Sequence, residues 1–128
     1  MPESSTIRRA NKDKAEGKSA STQAGEFVRE EIHHIREGKH GARSAKQAIA
    51  IGLSKARRAG VKLAAPRRGT VSEKTRKSAQ SSYQKGQAHS PVSARRSRAA
   101  KNALRHEGHS AASHRALSRH ARLAAHNR

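Results

Sequence analysis

The scarcity of large apolar residues limits what this chain can fold into. Leucine, isoleucine, valine and phenylalanine make up 15 of its 128 residues, whereas lysine and arginine make up 29. A highly charged chain with less than about 20% of these four residues is expected to stay largely disordered, because it buries too little apolar surface to offset the ordering of its backbone. Alanine favours helix but buries little area. We therefore expect a small folded nucleus with extended tails.

The charge is divided unevenly along the chain. Residues 1–38 contain seven basic and seven acidic side chains, so their net charge is zero. Residues 39–128 contain 22 basic side chains but only Glu73 and Glu107, so they carry the whole net charge of +20. A strongly basic segment attracts polyanions, and this distribution favours nucleic acid over a small substrate as the partner.

The first well-specified helix is predicted to begin at Ser21 or Thr22 and to end at Gly38. Its apolar residues repeat at helical spacing and form one stripe, which consists of Ala24, Phe27, Val28, Ile32 and Ile35. On the opposite side we expect solvent-facing charges, among them Glu26, Glu30 and Glu37. Surface pairs with Glu37 and Glu30 account for His33 and His34, so neither is interpreted as a metal ligand.

The second helix is predicted to follow Ser44 as its N-cap and to end at Gly60. One face contains Ala45, Ile49, Gly52, Leu53, Ala56 and Ala59. Ile51 points about 160° away from Leu53. It is either covered by Arg58 or by residues 61–66, or it forms a second contact face for another copy or another protein.

A glycine-rich turn at residues 38–43 predicts that these two helices form an antiparallel hairpin. The hairpin spans residues 22–65 and contains nine of the 15 large apolar residues. Residues 1–21 are predicted to form a short helix, from about Thr6 to Glu16, and a linker. Residues 66–128 are a basic arm rich in alanine, arginine and histidine, with helix-capable segments that begin near Ser72 and at Ser90. The predicted fold is therefore mostly α, a small helical hairpin nucleus with largely disordered or conditionally helical basic arms.

No motif for catalysis or cofactor binding is found in the sequence. It contains no nucleophile elbow, phosphate-binding loop, dinucleotide fingerprint or zinc-protease motif. Cysteine is absent, and Gly108 interrupts the helix between His106 and His109, the best-spaced histidine pair of the C-terminal quarter. We therefore expect neither an enzyme nor a metal or cofactor site.

The basic residues carry the functional prediction. Arginine and lysine bind phosphates by charge, and each neutralised phosphate releases counterions. Phe27 and Tyr83 are the two aromatic residues, too few for the base-stacking surface that single strands require, which favours backbone-directed binding to duplex DNA. The predicted contact residues are Lys55, Arg57, Arg58, Lys62, Arg67, Arg68, Arg95, Arg96, Arg98, Lys101, Arg105, Arg115, Arg119 and Arg122.

The predicted function is non-sequence-specific DNA binding by a histone-like or nucleoid-associated protein. An RNA- or ribosome-associated accessory protein and a small protein-interaction adaptor using the Ile51 face remain alternatives, and the hairpin could also form a homo-oligomer. The longest apolar run, at residues 48–53, is six residues long, so we expect no membrane segment and a location in the cytoplasm, at the nucleoid.

Two segments resemble a known family. "TQAGEFVREEIHHIREGKHGARSAKQAIAIGLSKARRAGVKL", residues 22–63, and "SRAAKNALRHEGHSAASHRALSRHARLAAHNR", residues 97–128, are similar to small basic bacterial proteins of unknown function, some of which are labelled plasmid stabilization proteins. The resemblance implies a bacterial, intracellular, DNA-associated protein. It supplies no catalytic residues.

Overall fold

The computed structural model of the protein describes residues 2–91 and 93–126. This part of the chain is mostly helical, as predicted, and forms the α-helices α1 (Ser4–Ala15), α2 (Ala20–Arg36), α3 (Ala45–Arg58), α4 (Glu73–Gln87), α5 (Ala94–Arg105) and α6 (His114–His126). A 3₁₀ turn, Ser110–Ala112, lies between α5 and α6. None of the described helices is long and apolar enough to cross a membrane.

Local capping explains where the two hairpin helices begin and end. The hydroxyl of Ser44 accepts a hydrogen bond from the backbone N–H of Gln47 at 3.1 Å, so α3 starts where it was predicted. Helix α2 starts earlier than predicted, because Ser19 rather than Ser21 or Thr22 supplies the capping hydroxyl, accepting from the N–H of Thr22 at 3.2 Å. Gly38 and Gly60 follow the two helices with φ of +79° and +101°, which is the left-handed conformation that ends a helix.

The chain divides into two compact units. The first comprises Met1–Glu30 and Gly52–Pro91, and the second comprises Glu31–Ile51 and Val92–Arg128. The core of the first unit joins α1, α2, α3 and the loop after α3; it contains Ala10, Ala24, Phe27, Ala56 and Val61, with Ala20, Leu53 and Leu63 packed against them. The core of the second unit joins α2, α3 and the 3₁₀ turn; it contains Ile35, Ala42, Ala48, Ala111 and Ala112, with Ile32 beside them.

Helices α2 and α3 contribute to the core of each unit. In the first unit, early residues of α2 such as Phe27 pack with Ala56, near the end of α3. In the second unit, Ile35 near the end of α2 packs with Ala48 near the start of α3. The buried face of α3 differs from the predicted one, since Ala48 is completely buried, Ile49 is only half-buried and Ala59 is exposed. Small residues therefore line the α3 side of the contact, which lets the helix backbones approach closely.

The described part of residues 66–128 gives no support to the predicted disorder. It contains α4, α5 and α6, and the start of α4 is capped by Ser72, whose hydroxyl accepts from the N–H of Thr75. Helix α5 begins at Ala94 with Ser93 as its cap, and not at Ser90 as predicted. Residues 66–128 also contribute Ala111 and Ala112 to a core, so they are more than a solvated arm.

Candidate nucleic-acid interface

Helix α6 presents a row of basic side chains to solvent. Arg115, Arg119, Arg122 and His126 are all exposed. At 100° per residue they fall within a sector of about 60° on the helix surface. The half-buried residues of α6 lie outside this sector, with Leu117 on the opposite side, and the helix packs against the 3₁₀ turn of the second unit. Packing of one face thus fixes which face carries the arginines.

Helix α5 carries a second basic row. Arg95, Arg98, Lys101 and Arg105 are exposed and share a sector of about 120°. Arg96 is also exposed but projects outside this sector. In the described part of the chain, no basic side chain of α5 or α6 forms an ion pair or a side-chain hydrogen bond. These side chains therefore keep their charge and their N–H donors available for an anionic ligand.

The predicted contact residues of the first unit differ in accessibility. Lys62, Arg67 and Arg68 are exposed in the loop between α3 and α4. Lys55 and Arg58 are half-buried, and the guanidinium of Arg58 donates to the carbonyl oxygen of Pro91 at 3.2 Å. Only the first three therefore offer their whole side chains to a ligand.

Arg57 has a structural role, unlike the exposed residues among the predicted nucleic-acid contacts. Its side chain is buried, with a residue exposure of 6%. Its Nε donates to the carbonyl oxygen of Leu63 at 3.1 Å and its Nη2 donates to that of Ala64 at 3.0 Å. Burial lowers the pKa of the guanidinium below its ordinary value. Arg57 thus holds the loop after α3 against the helix and does not face solvent.

Glu30 was predicted to lie on the solvent side, and this prediction is wrong. Its residue exposure is 4%. One carboxylate oxygen accepts hydrogen bonds from the backbone N–H of Glu3 at 2.6 Å and from the hydroxyl of Thr6 at 3.1 Å. The acid therefore fastens the start of α1 to α2. No local sequence signal reveals this role, because the covering residues lie more than 20 positions away.

Glu31 is a buried acid that the sequence analysis did not single out. It is fully buried in the second unit, where its Oε2 lies 3.1 Å from Nε2 of the buried His40. A signal for its burial exists in the sequence. Glu31 stands four residues after Phe27 and four before Ile35, so at helical spacing it occupies the middle of the apolar stripe.

Comparison with protein families matches part of the chain. Residues 12–69 match the model of DUF6496, a family of unknown function. The comparisons with curated proteins and with solved structures each found no match. The matched residues include all of α2 and α3, whereas α5 and α6 lie outside them. The similarity therefore assigns no role to the basic rows, and their function is argued from their geometry and charge.

Proposed function

We propose that the protein binds nucleic acid, with duplex DNA as its ligand, through the exposed basic rows of α5 and α6. The observation that carries this proposal is the row on α6, in which three arginines and a histidine share one narrow face. The spacing of i, i+4 and i+7 places the three arginine charges along about 10 Å of helix, and His126 at i+11 extends the row to about 16 Å. A ligand with repeated negative charges on one surface, such as a phosphate backbone, matches this arrangement better than a single small anion does.

The shortage of accessible aromatic residues supports binding to the backbone rather than to bases. Phe27 is buried in the core of the first unit, with 1% exposure, and Tyr83 is half-buried. Base stacking on aromatic side chains is the usual means of holding single strands. Without such a platform, affinity would come from charge and counterion release, which depends little on sequence. This supports a histone-like, nucleoid-associated role over sequence-specific regulation.

The test is a salt series on the full chain. We expect the replacement of Arg115, Arg119 and Arg122 together by glutamine to make the negative slope of log K against log salt shallower. Its magnitude should fall by up to about 2.7, since each lost phosphate contact contributes about 0.9. Glutamine keeps a good helix propensity, so α6 should persist. The matched control replaces Arg8, Lys12 and Lys14 of α1 by glutamine, which removes the same charge from exposed positions outside α5 and α6.

The two triple variants are expected to differ in DNA binding. The α6 variant should bind duplex DNA more weakly and with a smaller slope, whereas the α1 variant should keep the slope of the unchanged chain. Equal effects of the two variants would mean that only overall charge matters, and would contradict a defined interface. Competition between duplex DNA and structured RNA at one salt concentration tests the choice of ligand, and a preference for RNA would favour a ribosome-associated role.

A further inference from the structure

A buried acid and a buried imidazole face each other in the second unit. The side chain of Glu31 is fully buried and that of His40 is 7% exposed. Carboxylate Oε2 and imidazole Nε2 lie 3.1 Å apart. The turn at Gly38, with φ of +79°, ends α2 and brings the chain back so that His40 reaches the side chain of Glu31.

The hydrogen bond made by Nδ1 of His40 determines whether its Nε2, the atom nearest to Glu31, is a donor or an acceptor. Nδ1 lies 3.0 Å from the carbonyl oxygen of Gly41, and because a carbonyl oxygen can only accept, Nδ1 carries the proton. In the neutral ring, Nε2 then presents a lone pair, and it makes no hydrogen bond within the described residues. A lone pair and a carboxylate oxygen 3.1 Å apart repel each other unless a proton or a metal cation lies between them. A histidine that ligates a metal commonly donates its second ring N–H to a carbonyl in this way.

His34 supplies a third donor atom at the same place. It follows Glu31 by three residues on α2, is half-buried, and its ring meets that of His40 edge to face with centroids 6.2 Å apart. One ligand atom from each of Glu31, His34 and His40 lies within 4.8 Å of the other two. In a tetrahedral site with bonds of about 2.0–2.2 Å, ligand atoms are roughly 3.3–3.6 Å apart, so small side-chain adjustments would close this set around one ion.

We propose that Glu31, His34 and His40 form a metal site for a divalent transition-metal ion, with Zn²⁺ as the best match. Two imidazoles and one carboxylate suit zinc, whereas magnesium and calcium prefer ligand sets made of oxygen alone. The fourth tetrahedral position is left for water. The loop that carries His40 is also bound to the end of α5 and to the turn after it, since the N–H groups of Gly41 and Ala42 donate to the carbonyls of Leu104 and Gly108. The ion would therefore fasten this loop to α2 and stabilise the second unit.

The test is Zn²⁺ binding to the full chain, measured by competition with a chromophoric chelator. The unchanged chain should bind one equivalent, and His34→Gln should weaken binding at least about 10-fold. The matched control is His33→Gln, which changes an exposed neighbour on α2 that pairs with Glu37 at 2.8 Å, and it should leave binding unchanged. Equal affinity in the two variants, or binding lost only when the histidines after residue 105 are replaced, would overturn the proposal.

A second measurement does not depend on the variants. One equivalent of Zn²⁺ should raise the thermal midpoint of the unchanged chain and of His33→Gln, but not that of His34→Gln, since an ion that binds only the folded chain stabilises it. Co²⁺ should give the intense visible absorption of a tetrahedral site with nitrogen and oxygen ligands. If neither effect is seen in the unchanged chain, the pair of Glu31 and His40 holds a proton and not a metal, and the proposal is wrong.

Discussion

Replacing Gly52 by alanine tests how closely α2 and α3 approach each other in the first unit. A Cβ atom at this position would lie 2.6 Å from Cα and 2.9 Å from Cγ2 of Val28. Carbon atoms in contact are normally about 3.5–4.0 Å apart, so the added methyl group would force the helices apart by up to about 1 Å. The neighbouring Phe27 and Ala56 are buried in the same core, and their packing resists such a shift.

The expected magnitude follows from two opposing effects. Overpacking a tight contact costs about 1–3 kcal/mol, whereas replacing glycine by alanine inside a helix gains about 1 kcal/mol. We expect the contact to dominate, because the nearest atom is backbone and cannot rotate away. Gly52→Ala should therefore lower the free energy of unfolding by up to about 2 kcal/mol, which corresponds to a midpoint lower by up to roughly 8 °C.

Gly25→Ala is the matched control. Gly25 is also a helical glycine of the first unit, but it is exposed and a Cβ there would meet no atom within 4 Å. The same chemical change should therefore raise stability by up to about 1 kcal/mol. Urea and thermal unfolding followed by circular dichroism would measure both variants. Stabilisation by Gly52→Ala as large as that by Gly25→Ala would refute the close approach of the two helices.

Two further substitutions test the roles assigned to buried residues. Arg57→Gln should lower the free energy of unfolding by about 1.5–3 kcal/mol, since it removes the hydrogen bonds that a charged donor makes to the carbonyl oxygens of Leu63 and Ala64, but it should not change the salt slope of DNA binding. If the salt slope of DNA binding became shallower while urea unfolding stayed unchanged, Arg57 would be a DNA-contacting residue after all. Ala112→Asp should cost about 2 kcal/mol or more, because it buries a charge at a fully buried position. Unchanged stability in urea would mean that the 3₁₀ turn is peripheral to the core.

The helices were predictable from local signals. Ser44, Gly38 and Gly60 mark helix ends through capping and through the left-handed conformation, both of which depend on residues near in sequence. The stripe of α2 was also predictable, because Ala24, Phe27 and Ile35 recur at helical spacing and are all buried. Boundaries were missed where two capping residues compete, as Ser19 and Ser21 do at the start of α2. Such a choice depends on which hydroxyl the tertiary structure leaves in position.

The extent of folding was not predictable from the content of large apolar residues. That criterion counts the area that side chains can bury, but the contacts of this protein include close approaches of backbone that small residues permit. Gly86 of α4 packs against the carbonyl group of Arg57, and Gly41 packs against the backbone of Glu107 and Gly108. Fully buried alanines such as Ala48 and Ala112 fill the remaining space. Contacts of this kind join residues distant in sequence, so no local sequence pattern predicts them.

The candidate sites were predictable to different degrees. The basic rows follow from composition and helical spacing, since residues four and seven positions apart share one face of a helix. The buried acids do not follow, because a carboxylate such as that of Glu30 becomes buried only when α1 covers it. For Glu31 the spacing gave a usable signal, but its partner His40 comes from a turn whose path the sequence does not specify.

The placement of the acids strengthens the argument for the basic rows. In the first unit, Glu26 pairs with Arg9 at 3.0 Å and Glu73 pairs with Arg76 at 2.9 Å. In the second unit, Glu37 pairs with His33 on α2. Between residues 94 and 126 the sequence contains a single acid, Glu107, and no described ion pair joins it to a basic side chain. If the charge served solubility alone, acids could be interspersed among the arginines without loss, as on ordinary mixed-charge surfaces. A helix with its arginines on one face and no acids among them has unfavourable repulsion between like charges. A polyanionic ligand would compensate this repulsion.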